Sequence, residues 1–272
     1  MKNPYIRVLG LCIIQTLILA ALFLGGAVKF LQSSNTYIFA TASIIGSLIA
    51  IGATWLYYKL VDKKSLSAMN LRLNRKQTLF SVLSAVLSMG LSFSFTMIMS
   101  SSGNISAQFN KDFFSDVHII PMFILSAISW FLVGFNEETV CRGYMVDNLK
   151  HLSLPKLYFW SSVFFVLSHV FKLGLNPISI GVTLSAAITL MYVYIKTGSI
   201  MAATIPHFIY DFMTVQLIGN SDISIIQVNG VPSDMYQAGI HIIFLCTQVI
   251  LTMLLFKDKI SISYKKFESS AL

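Results

Sequence analysis

Eight apolar stretches, most of them as long as a bilayer is thick, dominate this chain and leave few folds open to it. A helix needs about 20 mostly apolar residues to cross the hydrocarbon core. The candidates lie at 8–31, 37–60, 78–100, 118–142, 157–171, 177–195, 199–218 and 238–256, the fifth being the shortest. Only 11% of the 272 residues are charged, while 56% are apolar. A soluble domain carries about 25% charged residues, so a soluble enzyme of this size is excluded. The same figures exclude a disordered chain and a disulfide-stapled secreted module. The first run has a signal-peptide-like flank in Lys2 and Arg7, but its apolar stretch is long for a cleaved leader and seven more runs follow. The expected fold is all-α: a single integral membrane domain over 1–272, built as a bundle of eight transmembrane helices.

The distribution of charge orients that bundle. Eight spans put both termini on one side, with the second, fourth and sixth connections. That side carries Lys2, Arg7, Lys59, Lys63, Lys64, Arg72, Arg75, Lys76, Arg142, Lys150, Lys156, Lys196, Lys257, Lys259, Lys265 and Lys266, which is 16 of the 19 basic residues. Lys29, Lys111 and Lys172 fall opposite. The positive-inside rule makes the rich side cytoplasmic, which predicts a multi-pass protein of the plasma membrane with both termini inside. Trp55, Tyr57, Tyr58, Tyr158, Trp160, Tyr192 and Tyr194 cluster at the same ends, as interfacial residues do. The net charge of +8 is dispersed in these gaps, so nucleic acid is not a partner. Cys12, Cys141 and Cys246 sit in separate runs with no paired spacing and read as small apolar residues. The connection 219–237, with the turn pair Asn229-Gly230, takes no role.

Of the eleven acids, eight lie in connections or tails, as ordinary solvated residues. Glu137, Glu138 and Asp211 do not. A carboxylate at mid-bilayer costs at least about 2.5–3.5 kcal/mol, so each needs a partner or a purpose. His169 and His207 lie at comparable depth in other spans. Glu138 and Arg142 are four apart and share a helix face, whereas Glu137 is turned about 100° away. The spacing therefore makes Glu138 the ion-pair partner and leaves Glu137 as the reactive carboxylate. Phe165 shares a face with His169, and His207 shares one with Asp211, an arrangement that fixes an imidazole's orientation. Pro206 loosens the helix at that point. His241 reads as a hydrogen-bonding residue between helices, His118 as interfacial and His151 as a solvated loop residue. For Glu137 and His169 to meet, the fourth helix has to continue past Arg142 through 143–150.

The run EETVCR (137–142), then FVLSH (165–169) and HFIYD (207–211), resembles the three motifs of the CPBP intramembrane protease family, which includes the CAAX prenyl endopeptidases and the Abi or bacteriocin-immunity proteins. Gly198-Ser199-Ile200 resembles the usual lead-in to the third motif, and 118–218 (helices four to seven) would be the family core. The resemblance implies an intramembrane active-site cavity and hydrolysis of a peptide bond in a membrane-associated peptide or protein. It makes Glu137 and His169 the pair that activates water, and His207 with Asp211 the stabilisers of the oxyanion. Position 211 departs from the best-known members, which have Asn there; an ionised carboxylate cannot donate to an oxyanion, so Asp211 would be protonated or act by orienting His207.

One Glu and two His also match the donor count of a catalytic zinc site, so Glu137, His169 and His207 are the ligand set if the enzyme is a metalloprotease. No two of them share a helix as HExxH would require, and the expectation is no cofactor. Two other function classes fit a charged intramembrane cluster. One is a non-catalytic immunity or signalling modulator that keeps the fold; the intact Glu137, His169 and His207 set opposes it. The other is a proton-relay transporter, opposed by the absence of paired repeats. The partners expected are a peptide or protein substrate and the lipid bilayer.

Overall fold

The computed structural model describes residues 3–24, 30, 35–65, 69–173, 176–229, 234–257 and 260–262. The end of the first expected span, Lys2, Lys29, Gly230 of the expected turn, and the tail lysines Lys259, Lys265 and Lys266 lie outside them. The helices are α1 (Pro4–Leu24), α2 (Thr36–Val61), α3 (Arg75–Ser101), α4 (Ile119–Leu149), α5 (Leu154–Leu173), α6 (Pro177–Thr197), α7 (Ile200–Phe212) and α8 (Asp234–Phe256). Among the described residues, α2, α3, α4, α6 and α8 are long and apolar enough to cross a membrane. The protein is an integral membrane protein of all-α architecture.

Polar caps place the helix starts. Asn35 accepts the Ile38 amide, Asn74 and Gln77 form a reciprocal capping box, and Asn176 caps α6 with Pro177 in its first turn. Each cap satisfies amides that a helix cannot satisfy internally. Gly198, with φ of 68°, closes α6 in the left-handed region that glycine adopts freely, and Ser199 immediately caps α7. A two-residue joint therefore turns the chain from one helix into the next.

Small residues let the helix backbones approach. The buried face of α2 carries Ala40, Ser43, Ser47, Ala50 and Thr54 at helical spacing, and that of α3 carries Ser81, Ser84, Ser88, Ser92 and Thr96. Between apolar helices in lipid, close packing and a few hydrogen bonds replace the hydrophobic drive. Gln248 on α8 joins Ser84 and Ser88 at 2.7 and 3.1 Å, while Gln15 on α1 reaches the Ala50 carbonyl and Thr54 on α2 at 3.0 and 2.7 Å. Exposed side chains such as Ile45, Leu48, Val86, Ile124 and Leu254 form the opposite, lipid-facing surface.

The structure corrects several details of the sequence reading. Helix α4 does not stop at Arg142; it runs to Leu149, with Thr139–Tyr144 wound as a π-helix. Arg142 is consequently not a residue at the membrane edge but wholly buried. Regular α-helix in the seventh run ends at Phe212, and a second π-turn spans Met213–Leu217. Segments read as plain connections form a small sheet. Strand β1 (Ser106–Phe109) pairs antiparallel with β3 (Ile226–Asn229), which pairs parallel with β2 (Ile218–Gly219). Asn110 ties this sheet to the loop by donating to the Asp222 carbonyl at 2.8 Å.

Two acids read as solvated are instead engaged. The Asp62 carboxylate takes Arg7 at 3.0 Å and the Tyr144 hydroxyl at 2.8 Å. Asp147 takes Tyr58 at 2.7 Å, Lys64 at 2.6 Å and Lys150 at 3.0 Å. These contacts tie α1, α2 and the end of α4 together.

Candidate active site

Three helices bring the six singled-out residues into one cluster. Glu137, Glu138 and Arg142 come from α4, His169 from α5, and His207 and Asp211 from α7. The continuation of α4 past Arg142 supplies the depth at which its carboxylates meet α5. Oε2 of Glu137 stands 3.5 Å from Nε2 of His169 and 3.6 Å from Nε2 of His207. Asp211 Oδ2 lies 3.4 Å from the same Nε2 of His207. Both π-turns follow site residues directly, one after Glu138 and one after Asp211–Phe212. Such wide turns recur at functional sites because they re-aim the side chains beside them.

Glu138 has the role its spacing gave it, and a further one. Its Oε1 receives Arg142 Nη1 at 2.9 Å and His207 Nδ1 at 2.8 Å. All three side chains are buried, and Arg142 also donates to the Ala187 carbonyl of α6 at 2.9 Å. The carboxylate thus links the arginine to the histidine and fixes which way the ring faces. No spacing rule could reveal this link, since Glu138 and His207 are 69 residues apart.

The two histidines are set differently. His169 Nδ1 donates to the Phe165 carbonyl at 2.8 Å. A carbonyl only accepts, so in the neutral ring Nε2 carries the lone pair, and it is Nε2 that faces Glu137. His207 Nδ1 donates to Glu138 Oε1, while Nε2 has Asp211 Oδ2 at 3.4 Å and Glu137 Oε2 at 3.6 Å.

Phe165 is the packing centre of the cluster. The Arg142 guanidinium lies 4.7 Å from its ring centroid, and the His169 and His207 rings lie at 4.7 and 5.6 Å. A cation over an aromatic face is held electrostatically. The sequence marked only that Phe165 shares a face with His169; the contact to Arg142 depends on the packing of α5 against the π-turn. Ser161 strengthens that packing by donating to the Cys141 carbonyl at 3.2 Å.

Two carboxylate oxygens of the site, Glu138 Oε2 and Glu137 Oε2, are buried without a hydrogen bond among the described residues, and it is the second that stands near both Nε2 atoms. Oε2 of Glu137 is shielded and has no hydrogen-bond partner among the described residues, although the side chain as a whole is 22% exposed. Its nearest polar neighbours are the two Nε2 atoms. A lone acceptor beside the lone-pair nitrogen of His169 is a pair of acceptors suited to a water molecule, which has two protons to give. Among the described residues no group of three His, Cys, Asp or Glu side chains is arranged to hold a metal ion.

The remaining histidines lie elsewhere. His241 bridges α6 and α7, with Nε2 at 2.8 Å from the Ser185 hydroxyl and Nδ1 at 3.0 Å from the Tyr210 hydroxyl, as an interhelical residue should. His118 caps the start of α4 in an exposed position, and His151 packs edge-on against Tyr5.

Residues 119–213 match the sequence pattern of the family described as type II CAAX prenyl endopeptidase Rce1-like. No curated protein and no solved structure matches the chain. The matched segment begins with α4 and ends just past Asp211, so it contains every residue of the cluster.

Proposed function

We propose that this chain, whose segment 119–213 matches the type II CAAX prenyl endopeptidase Rce1-like pattern, is an intramembrane endopeptidase acting on a membrane-associated peptide or protein. The observation that carries the reading is the unpartnered Glu137 oxygen facing two histidine nitrogens inside a membrane protein. Buried ionisable groups in hydrocarbon are retained for function, and this oxygen stands beside both Nε2 atoms without being hydrogen-bonded to either.

In the proposed mechanism, water donates one hydrogen bond to Glu137 Oε2 and one to His169 Nε2. As its oxygen attacks the scissile carbonyl carbon, Glu137 takes the proton as general base. The carbonyl electrons move to the oxygen, and the Nε2 proton of His207 stabilises that oxyanion. A donor fixed beforehand in a dry site does this without reorganising. On collapse the C–N bond breaks, and Glu137 returns the proton to the departing amine. The balance is one water added across one peptide bond.

Asp211 acts through His207, orienting the ring from 3.4 Å at Nε2. Glu138 and Arg142 are positioning residues, since Glu138 orients the ring from Nδ1. No metal enters this scheme.

The same reading sets the cluster in a cavity within an eight-span bundle, with both termini on the cytoplasmic side of the plasma membrane. Contacts among segments assigned to one side support it. Residue 7 meets residue 62, residues 62 and 64 meet 144 and 147, and Gln77 donates to Thr197. On the opposite side, β1 meets β3.

The test is a comparison of membrane peptidomes from cells carrying wild type or Glu137→Gln. Cleavage products present only with wild type are expected, and they name the substrate. Identical peptidomes at equal expression sink the assignment. Retention of the wild-type pattern after exhaustive chelation is expected as well, and its loss restores zinc.

A further inference from the structure

We propose that the cleft between α1 and the end of α2 binds one anionic phospholipid of the surrounding bilayer. It is an open cleft of about 580 Å³, within the range of about 300–1,000 Å³ that small-molecule sites occupy. It stands apart from the Glu137 cluster and from the peptidase reading.

α1 and α2 are joined by side-chain hydrogen bonds at two levels, and between those levels the contact is the packing of Tyr57 on Gly10. Gln15 reaches α2 at Ala50 and Thr54, and Arg7 reaches Asp62 beyond its end. Val8 and Leu11 turn α1's other face into the core. The stripe Ile6, Leu9 and Ile13, at i, i+3 and i+7, is left lining the opening, about half exposed. Gly10 lacks a side chain where Tyr57 packs directly against it, which sets Tyr57 as part of the wall.

The lining selects the occupant. Its walls are apolar apart from Tyr57 and one charged residue, Lys63, two positions past the end of α2. Of the other cations of this corner, Arg7 pairs with Asp62, Lys64 with Asp147, and Lys59 lies over the Trp55 ring. Among the described residues no carboxylate pairs with Lys63. A cleft with apolar length and one uncommitted cation at its end fits an amphiphile with an acyl chain and a negative head. The bilayer supplies that chemistry directly, and juxtamembrane lysines attract anionic headgroups.

Lys63 also has a conformational feature that makes the test clean. Its φ is 55°, a left-handed backbone that Asn adopts with less strain than most residues. Lys63→Asn therefore removes the charge without straining the turn.

The experiment uses the full chain purified in detergent, supplied with phosphatidylglycerol or phosphatidylcholine and read by native mass spectrometry. Wild type is expected to retain phosphatidylglycerol about fivefold better, the attraction of one lysine near an anionic surface. Lys63→Asn is expected to bring that ratio to about one, and Lys156→Asn, elsewhere on the basic side, to leave it unchanged. Ile13→Trp, which fills the cleft, is expected to lower retention of both lipids. Equal retention of the two lipids by wild type overturns the proposal, as does a preference that survives Lys63→Asn. Full lipid retention by Ile13→Trp overturns the placement of the chain.

Discussion

The molecule holds two clusters of acids against bases, and they are satisfied to different degrees. At the ends of α1, α2 and α4, both oxygens of Asp62 and both of Asp147 receive a donor from Arg7, Tyr144, Tyr58, Lys64 or Lys150. In the site, Glu138 holds Arg142 and His207 through Oε1 alone, Glu138 Oε2 and Glu137 Oε2 have no hydrogen bond among the described residues, and Asp211 stands 3.4 Å from the His207 nitrogen. A cluster whose lone pairs are filled contributes rigidity. One that leaves an oxygen open has a place for a reacting molecule, at a cost that the rest of the structure offsets.

The sharpest way to break this contrast is to neutralise one acid in each cluster without changing its shape. Glu137→Gln is expected to lower turnover by about 10³-fold, within the span of 10²–10⁴ typical of a general base, with thermal stability unchanged or raised. Asp62→Asn is expected to do the reverse: lower the melting temperature in detergent and leave kcat within about twofold, because it touches no reacting group. Equal losses of activity from both variants would erase the distinction.

Next in size is the buried pair. Arg142→Met leaves Glu138 charged in the interior with only His207 Nδ1 to hold it, and breaking such a pair from one side costs about 3–5 kcal/mol. The double variant Arg142→Met with Glu138→Gln is expected to recover part of that stability. Activity stays low in both: Arg142→Met frees the Glu138 carboxylate to move away from His207, and the double variant also replaces the charged acceptor that orients Nδ1.

How far these clusters could be foreseen depended on where hydrocarbon applies its penalty. Glu137, Glu138, His169, His207 and Asp211 stood out because charge and imidazole are costly within apolar runs, and helical spacing then paired Glu138 with Arg142. Asp62 and Asp147 lie at the ends of such runs, where a solvated acid costs nothing, so their partners were invisible. The π-turns carry no mark in composition; TVCRGY reads as one more helical turn, and its consequence, the burial of Arg142, appeared only in the fold. The strands at 106–109 and 226–229 are too short and too far apart in sequence to declare their pairing. Glu138's contact with His207 was hidden for the same reason: spacing rules operate within a helix, and this bond joins two.

Asp211 tests the division inside the site. If it acts by orienting the His207 ring, Asp211→Asn keeps an acceptor at the same distance and costs no more than about tenfold in kcat, whereas Asp211→Ala costs about 10²-fold, the low end for a group governing proton placement. KM is expected to stay fixed in both. A rise in KM without a fall in kcat would move Asp211 from orienting the ring to binding substrate.

The smallest effect isolates the filled cluster. Tyr144→Phe removes one hydroxyl from Asp62 while Arg7 remains at 3.0 Å. The loss is one charge-assisted hydrogen bond, about 1.5–3 kcal/mol at most and less where water replaces the hydroxyl. Tyr144 closes the π-turn that begins just past Glu138, so this variant also asks whether the clusters communicate along α4. The expected outcome is a lower melting temperature with kcat and its pH profile superimposable on wild type. An altered pH profile would show that the filled cluster sets the geometry of the open one, and the two regions would then have to be treated as one device.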